Sequence, residues 1–117
     1  MKLALALFVA YLLAVASTAA HTTRPSPPPA VERALRLAGA AYGVPYRELA
    51  AVAWCESRYA VRAVGKAGDS GLFQFLASTW RGTPFRGFSR FDPVANSLAA
   101  AWLVSRDGSW RQWTCQP

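Results

Sequence analysis

Histidine is nearly absent from this 117-residue chain; the one present, His21, stands just ahead of a proline cluster. Ser-His-Asp and Cys-His catalysis both need a histidine fixed beside the nucleophile. A histidine on an extended tail excludes them. Cysteine is almost as scarce, with only Cys55 and Cys115. Zinc centres need about four converging His, Cys or carboxylate ligands, so no metal site is expected. P-loop, dinucleotide and calcium-loop spacings are all missing, and no cofactor is expected. Acids number six against thirteen Lys and Arg. An enzyme built from this sequence works with carboxylates and hydrogen-bond donors.

No apolar run reaches the roughly 18 residues that suggest a membrane span. The longest, Leu3 to Ala16, follows Met1-Lys2 and leads into small residues up to Ala20. A short basic start, an apolar centre and a small-residue exit read as a secretory signal peptide over residues 1–20. The expected setting is secreted or cell-envelope, with no stable membrane anchor after cleavage. Without Lys2 the remainder still has twelve basic residues against six acidic ones. Pro25, Pro27, Pro28 and Pro29 then mark residues 21–30 as an extended spacer. Residues 31–117 form the domain, expected to be a monomer. Domains this small often need a covalent staple. Outside the cytosol Cys55 and Cys115 supply one as a disulfide.

The apolar spacing of that domain is helical. Val31, Leu35, Ala38 and Tyr42 share one face of a first helix that Gly43 stops. A second begins at Pro45 and runs through Leu49, Val52 and Ala53 to Ser57. The glycine-bearing stretch 60–72 predicts a loop or short hairpin, and Leu72–Leu76 a short strand. Ser78 is expected to cap a short helix containing Trp80. Asp92-Pro93 opens a strong helix with Val94, Leu98, Ala101 and Trp102 buried, ended by Gly108. The fold class is mainly α: a compact helical domain with a small loop or short-strand insertion forming a cleft.

One acid stands apart. Glu32 and Glu48 occupy opening helical turns, where negative charge complements the dipole. Asp92 serves as a cap, Asp107 is expected to be solvated, and Asp69 falls in a polar glycine-rich loop. Glu56 lies four residues after Val52 and seven after Leu49, on an apolar face near a helix C-terminus. Desolvation and the dipole both raise a carboxyl pKa there, as a general acid requires. Pairing with Arg58 or Arg62 is the opposing reading.

At this point the motifs carry a resemblance. Cys55-Glu56-Ser57, then Gly71-Leu72-Phe73-Gln74-Phe75, then Ser78-Thr79-Trp80 resemble the ordered motifs of lytic transglycosylases with the soluble lytic transglycosylase, lysozyme-like domain. Asp92-Pro93-Val94-Ala95-Asn96, followed by Ala99 to Leu103, is similar to a later helix of that family. The resemblance covers about residues 31–115. Where many members carry an Ala-Tyr-Asn-Ala-Gly segment, this chain has Gly108 to Cys115, closer to secreted resuscitation-promoting-factor-like and phage lysozyme-like variants.

The resemblance implies a lysozyme-like α+β fold and peptidoglycan glycan strands as the partner. It implies Glu56 as acid and then base, with release of a 1,6-anhydromuropeptide; lysozyme-type hydrolysis is the alternative outcome, for which only Asp69 could supply a second carboxylate. Gln74, Ser57 and backbone groups at Gly71 and Phe73 are then expected to hold sugar. Tyr59 and Trp80 are candidates for stacking on a pyranose ring, with core packing as the other reading. A noncatalytic cationic wall-binding or antimicrobial protein on the same fold is the alternative. Arg81, Arg86 and Arg90 alternating with Phe85, Phe88 and Phe91 superficially suit single-stranded nucleic acid. Secretion argues against that, and no nucleic-acid partner is expected.

Overall fold

Proline and glycine set the helix ends. The computed structural model describes residues 24–117, so the expected signal peptide and most of the start of the spacer lie outside the described residues. Helix α1 spans Pro29–Tyr42 and begins two residues before the apolar spacing suggests, because proline is tolerated at a first helical position. Gly43 ends it in the left-handed conformation, its N–H on the Gly39 carbonyl. A Cβ on Gly39 would sit 2.6 Å from the Val44 carbonyl, so the missing side chain lets the next segment turn back closely. Helix α2, Tyr46–Ser57, follows Pro45, which stands just outside the helix rather than at its first position.

Between α2 and the next helix the chain is irregular. The expected strand at Leu72–Leu76 is a turn instead: Gly71 and Gln74 both adopt positive φ, at 81° and 52°, and break any extended run. The β pairing of this insertion is limited, among the described residues, to two isolated antiparallel bridges, Val64 with Ser70 and Ser70 with Phe75. Helix α3 is one turn, Ala77–Arg81, and Ser78 lies inside it; Leu76 precedes it without a side-chain cap. Helix α4, Pro93–Asp107, opens as expected: Asp92 Oδ1 accepts from the N–H groups of Val94 and Ala95 at 2.9 and 3.0 Å. Gly108 closes it with φ 70°.

Helix α4 packs chiefly on α1, and its buried face differs from the expected one. Ala101 is buried, but Val94 is exposed and Leu98 and Trp102 are half-buried. The face turned inward carries Asn96, Ala99, Ala100 and Leu103. Asn96 misleads apolar periodicity because its polarity is satisfied inside. Its Oδ1 accepts from the Phe73 N–H at 2.8 Å, and its Nδ2 donates to the Arg90 carbonyl at 2.7 Å. One buried amide thus ties the insertion to the central helix, and removing it would orphan two buried backbone groups.

Aromatic rings complete the core. Phe75 meets Trp80 and Trp113 edge-on at 5.3 and 5.8 Å, and Trp110 meets Trp113 at 5.2 Å. Edge-to-face geometry at these separations is favourable for ring quadrupoles. Trp113 also donates its Nε1–H to the Phe73 carbonyl at 2.9 Å. The chain after α4 therefore folds back over the insertion through a turn in which the Trp113 N–H donates to the Trp110 carbonyl at 3.0 Å.

Candidate active site

Helix α2 delivers Glu56 to the rim of a cavity of about 290 Å³. Just beyond it, Arg58 and Tyr59 both take left-handed backbone angles, φ 53° and 62°, so the chain turns sharply away after the glutamate. Such non-glycine conformations are uncommon and gather at sites the surrounding structure over-determines. Arg58 bends back to the Trp54 carbonyl and lies 4.8 Å over the Trp54 ring. Arg62 faces the Phe91 ring at 6.0 Å. Among the described residues neither pairs with Glu56.

The Cys55–Cys115 disulfide, with Cα atoms 5.9 Å apart, brings the end of the chain against this helix terminus. Gln112, Trp113 and Thr114 become one part of the cavity lining. Ala67 and Asp69 from the glycine-rich loop, Gln74 and Phe75 from the turn, Leu76, Thr79 of α3 and Leu103 of α4 supply the rest. Burial pushes the Glu56 carboxyl above its ordinary range, the Cys115 backbone amide opposes this, and the negative charge of Asp69 adds to the rise. The dominant cause is desolvation, as its place on an apolar helix face suggests.

Of the residues expected at the cleft, Glu56 and Gln74 line it together. The others are placed elsewhere. Ser57 is buried and donates its hydroxyl to the Ala53 carbonyl at 3.0 Å. Tyr59 is in the core, its ring 5.1 Å from that of Trp54. Trp80 is also core, and its Nε1–H donates to the Phe88 carbonyl at 3.1 Å. Phe73 is fully buried, with its N–H spent on Asn96 and its carbonyl on Trp113. Gly71 donates to the Ala63 carbonyl and accepts from Gln74, and a Cβ there would fall on the Arg90 carbonyl. These backbone groups build the turn rather than face the cavity.

Gln74 itself is half committed. Its Nε2 donates to the carbonyls of Ala63 and Gly71 at 3.0 and 2.8 Å, which aligns its amide beside the cleft. Asp107, expected to be solvated, is nearly covered, with its side chain 3% exposed. Hydrogen bonds from Arg106 and then Gln112 hold its carboxyl below the usual range. The Gln112 bond also anchors part of the cavity lining. Sequence reasoning missed Thr79, Gln112 and Thr114. The signal for the last two was available: Cys115 had to reach Cys55, one residue before Glu56.

A small helical domain closed around a polar cleft, with a desolvated glutamate at a helix end, has the architecture of the lysozyme-like class. More narrowly, the family described as the transglycosylase SLT domain matches residues 33–110, more than half of the chain, and the chain belongs to that family. No curated protein and no solved structure matches it. The family is of peptidoglycan lytic transglycosylase type and acts on the cell wall. The disulfide fits an oxidising compartment. Among the described residues no helix is long and apolar enough to cross a membrane.

Proposed function

We propose that this protein is a secreted lytic transglycosylase that cleaves the β-1,4 bond between N-acetylmuramic acid and N-acetylglucosamine, with Glu56 as general acid and then base. The observation that carries the reading is the position of Glu56. It is desolvated, without a cationic partner among the described residues, and it borders a cavity lined mainly by neutral polar and apolar groups.

In the first step Glu56 gives its proton to the glycosidic oxygen. The bond from that oxygen to the muramyl C1 breaks, and its electron pair leaves as the N-acetylglucosamine 4-hydroxyl. The Glu56 carboxylate then removes the proton of the muramyl 6-hydroxyl as O6 bonds to C1. The glutamate regains its proton, no water is consumed, and a 1,6-anhydro ring closes. The Gln74 carbonyl oxygen, left over from its two donated hydrogen bonds, accepts from a sugar hydroxyl. Thr79 and Thr114 add hydroxyls on the cleft surface. Residues 1–20 direct export, 21–30 act as a spacer and 31–117 carry the activity.

Purified sacculi test this directly. Mass spectrometry is expected to find muropeptides one water lighter than hydrolytic products, and Glu56→Gln to abolish them, because an amide cannot donate the required proton. Continued cleavage by Glu56→Gln would sink the assignment. Reducing-end products alone would mean hydrolysis.

A further inference from the structure

The proposed reaction leaves one need unmet: something must stabilise positive charge on the sugar while Glu56 gives up its proton. Asp69 shares the cavity with Glu56, and these are the only titratable side chains among the lining residues. Three features mark it out from the other acids.

First, Asp69 is free. Among the described residues Glu32 and Asp107 are ion-paired, Asp92 caps α4, and Glu48 accepts from Trp110 at 3.4 Å. Among the described residues no ion pair or side-chain hydrogen bond engages the Asp69 carboxylate, although Lys and Arg outnumber acids there two to one. Arg90 comes close enough to donate to the carbonyls of Gly68 and Phe75 at 3.1 and 2.8 Å, yet forms no pair with Asp69.

Second, Asp69 has a built seat. A Cβ on Gly65 would clash with both of its carboxylate oxygens, and Gly65 has no positive φ to require glycine. The Gly65 N–H donates to the Asp69 carbonyl at 2.8 Å, and the Val64–Ser70 bridge closes the loop around it. Third, Asp69 acts on Glu56 through space, its charge disfavouring the Glu56 anion.

We propose that Asp69 is the electrostatic partner of Glu56 in the cleft: a seated, unpaired carboxylate on the same cavity that stabilises the oxocarbenium-like charge on the muramyl ring during the reaction. Asp69 neither gains nor loses a proton and forms no bond. The groups around Glu56 make the effect readable. Asp69 and the Cys115 amide act on it, whereas Arg58, Arg62 and Arg90 are turned to Trp54, Phe91 and two carbonyls.

This inference rests on the reading of Glu56 as the acid, and the test separates the two. Asp69→Asn is expected to lower kcat by about a hundredfold or more with little change in KM. Its alkaline limb moves to lower pH, because Glu56 loses its proton more readily without the neighbouring charge. Gly65→Ala, which retains the charge but displaces it, should shift the limb in the same direction. Asp69→Glu should recover part of the loss. A carbon-detected NMR titration of Glu56 reads the same effect without turnover: its midpoint falls in Asp69→Asn. A wild-type midpoint and wild-type kcat in Asp69→Asn would overturn the proposal, even with Glu56→Gln inactive. An active Glu56→Gln would instead overturn the function on which it rests.

Discussion

A carboxyl group whose anion the fold disfavours costs stability once it ionises, and Glu56 is such a group. Its folded pKa lies above the unfolded value, chiefly through burial. The linkage sign follows: stability from this group is intact at pH below the unfolded pKa and is lost as pH rises through the folded one. Glu56→Gln should therefore unfold at a higher temperature than the wild type at neutral pH. That advantage should shrink to nothing as the medium is acidified into the ordinary carboxyl range. A thermal scan across pH checks it, and equal melting at pH 7 would contradict the desolvation account. At this scale the sequence was informative about one residue type more than the others. Helical spacing put Glu56 at an apolar helix end, whereas the aromatic character of Tyr59 and Trp80 left core and cleft equally open. Both rings are in the core. What decides between the two is the direction a turn takes, and the turns at Arg58-Tyr59 and at Gln74 use left-handed angles on non-glycine residues. No sequence pattern announces those.

Among the elements, the terminal segment Gln112–Cys115 matters beyond its length. It contributes to the cleft lining, is tied to α2 by the disulfide, and presents a backbone amide to Glu56. Closing a loop of 60 residues stabilises a fold by up to about 4 kcal/mol, with about 2–4 kcal/mol usual. A Cys55→Ala, Cys115→Ala pair should lose stability of that order in denaturant titration. It should also move the alkaline limb of activity to higher pH, because the amide that favours the Glu56 anion is no longer held there. That shift is opposite to the one expected for Asp69→Asn, so the two elements flanking the glutamate are separable by sign. An unchanged limb in the bridge-free variant would show that the segment stays in place without its staple. The three longer helices were legible: Gly43, Pro45, Asp92 and Gly108 mark ends of theirs to within two residues. The walls of the cleft were not, because the loop at 64–70 and the segment at 112–114 have no periodicity. They are placed by isolated bridges, one disulfide and hydrogen bonds such as that from Gln112 to Asp107. The face of α4 was misread for a related reason: buried Asn96 behaves as core while scoring as polar.

For the molecule as a whole, charge is distributed unlike the site it surrounds. Residues 24–117 hold twelve Lys and Arg against six Asp and Glu, and only Arg36, Arg106 and Arg111 form ion pairs among the described residues. The cleft, by contrast, carries two carboxylates and no Lys or Arg in its lining. A positive exterior favours encounter with a cell wall bearing anionic polymers, while the proposed chemistry takes place on uncharged sugar hydroxyls and a glycosidic oxygen. The two contributions separate under salt. Raising ionic strength from about 0.1 M to about 1 M shortens the screening length from about 10 Å to about 3 Å, which weakens long-range attraction but leaves a desolvated carboxyl largely unaffected. KM for intact sacculi should therefore rise severalfold across that range with kcat nearly constant. Cleavage of a short neutral glycan fragment should show little salt dependence in either parameter. A fall in kcat on the neutral fragment would place the salt-sensitive charges inside the cleft, against the lining seen here. Salt-independent capture of sacculi would mean that the basic surface has no part in finding the wall.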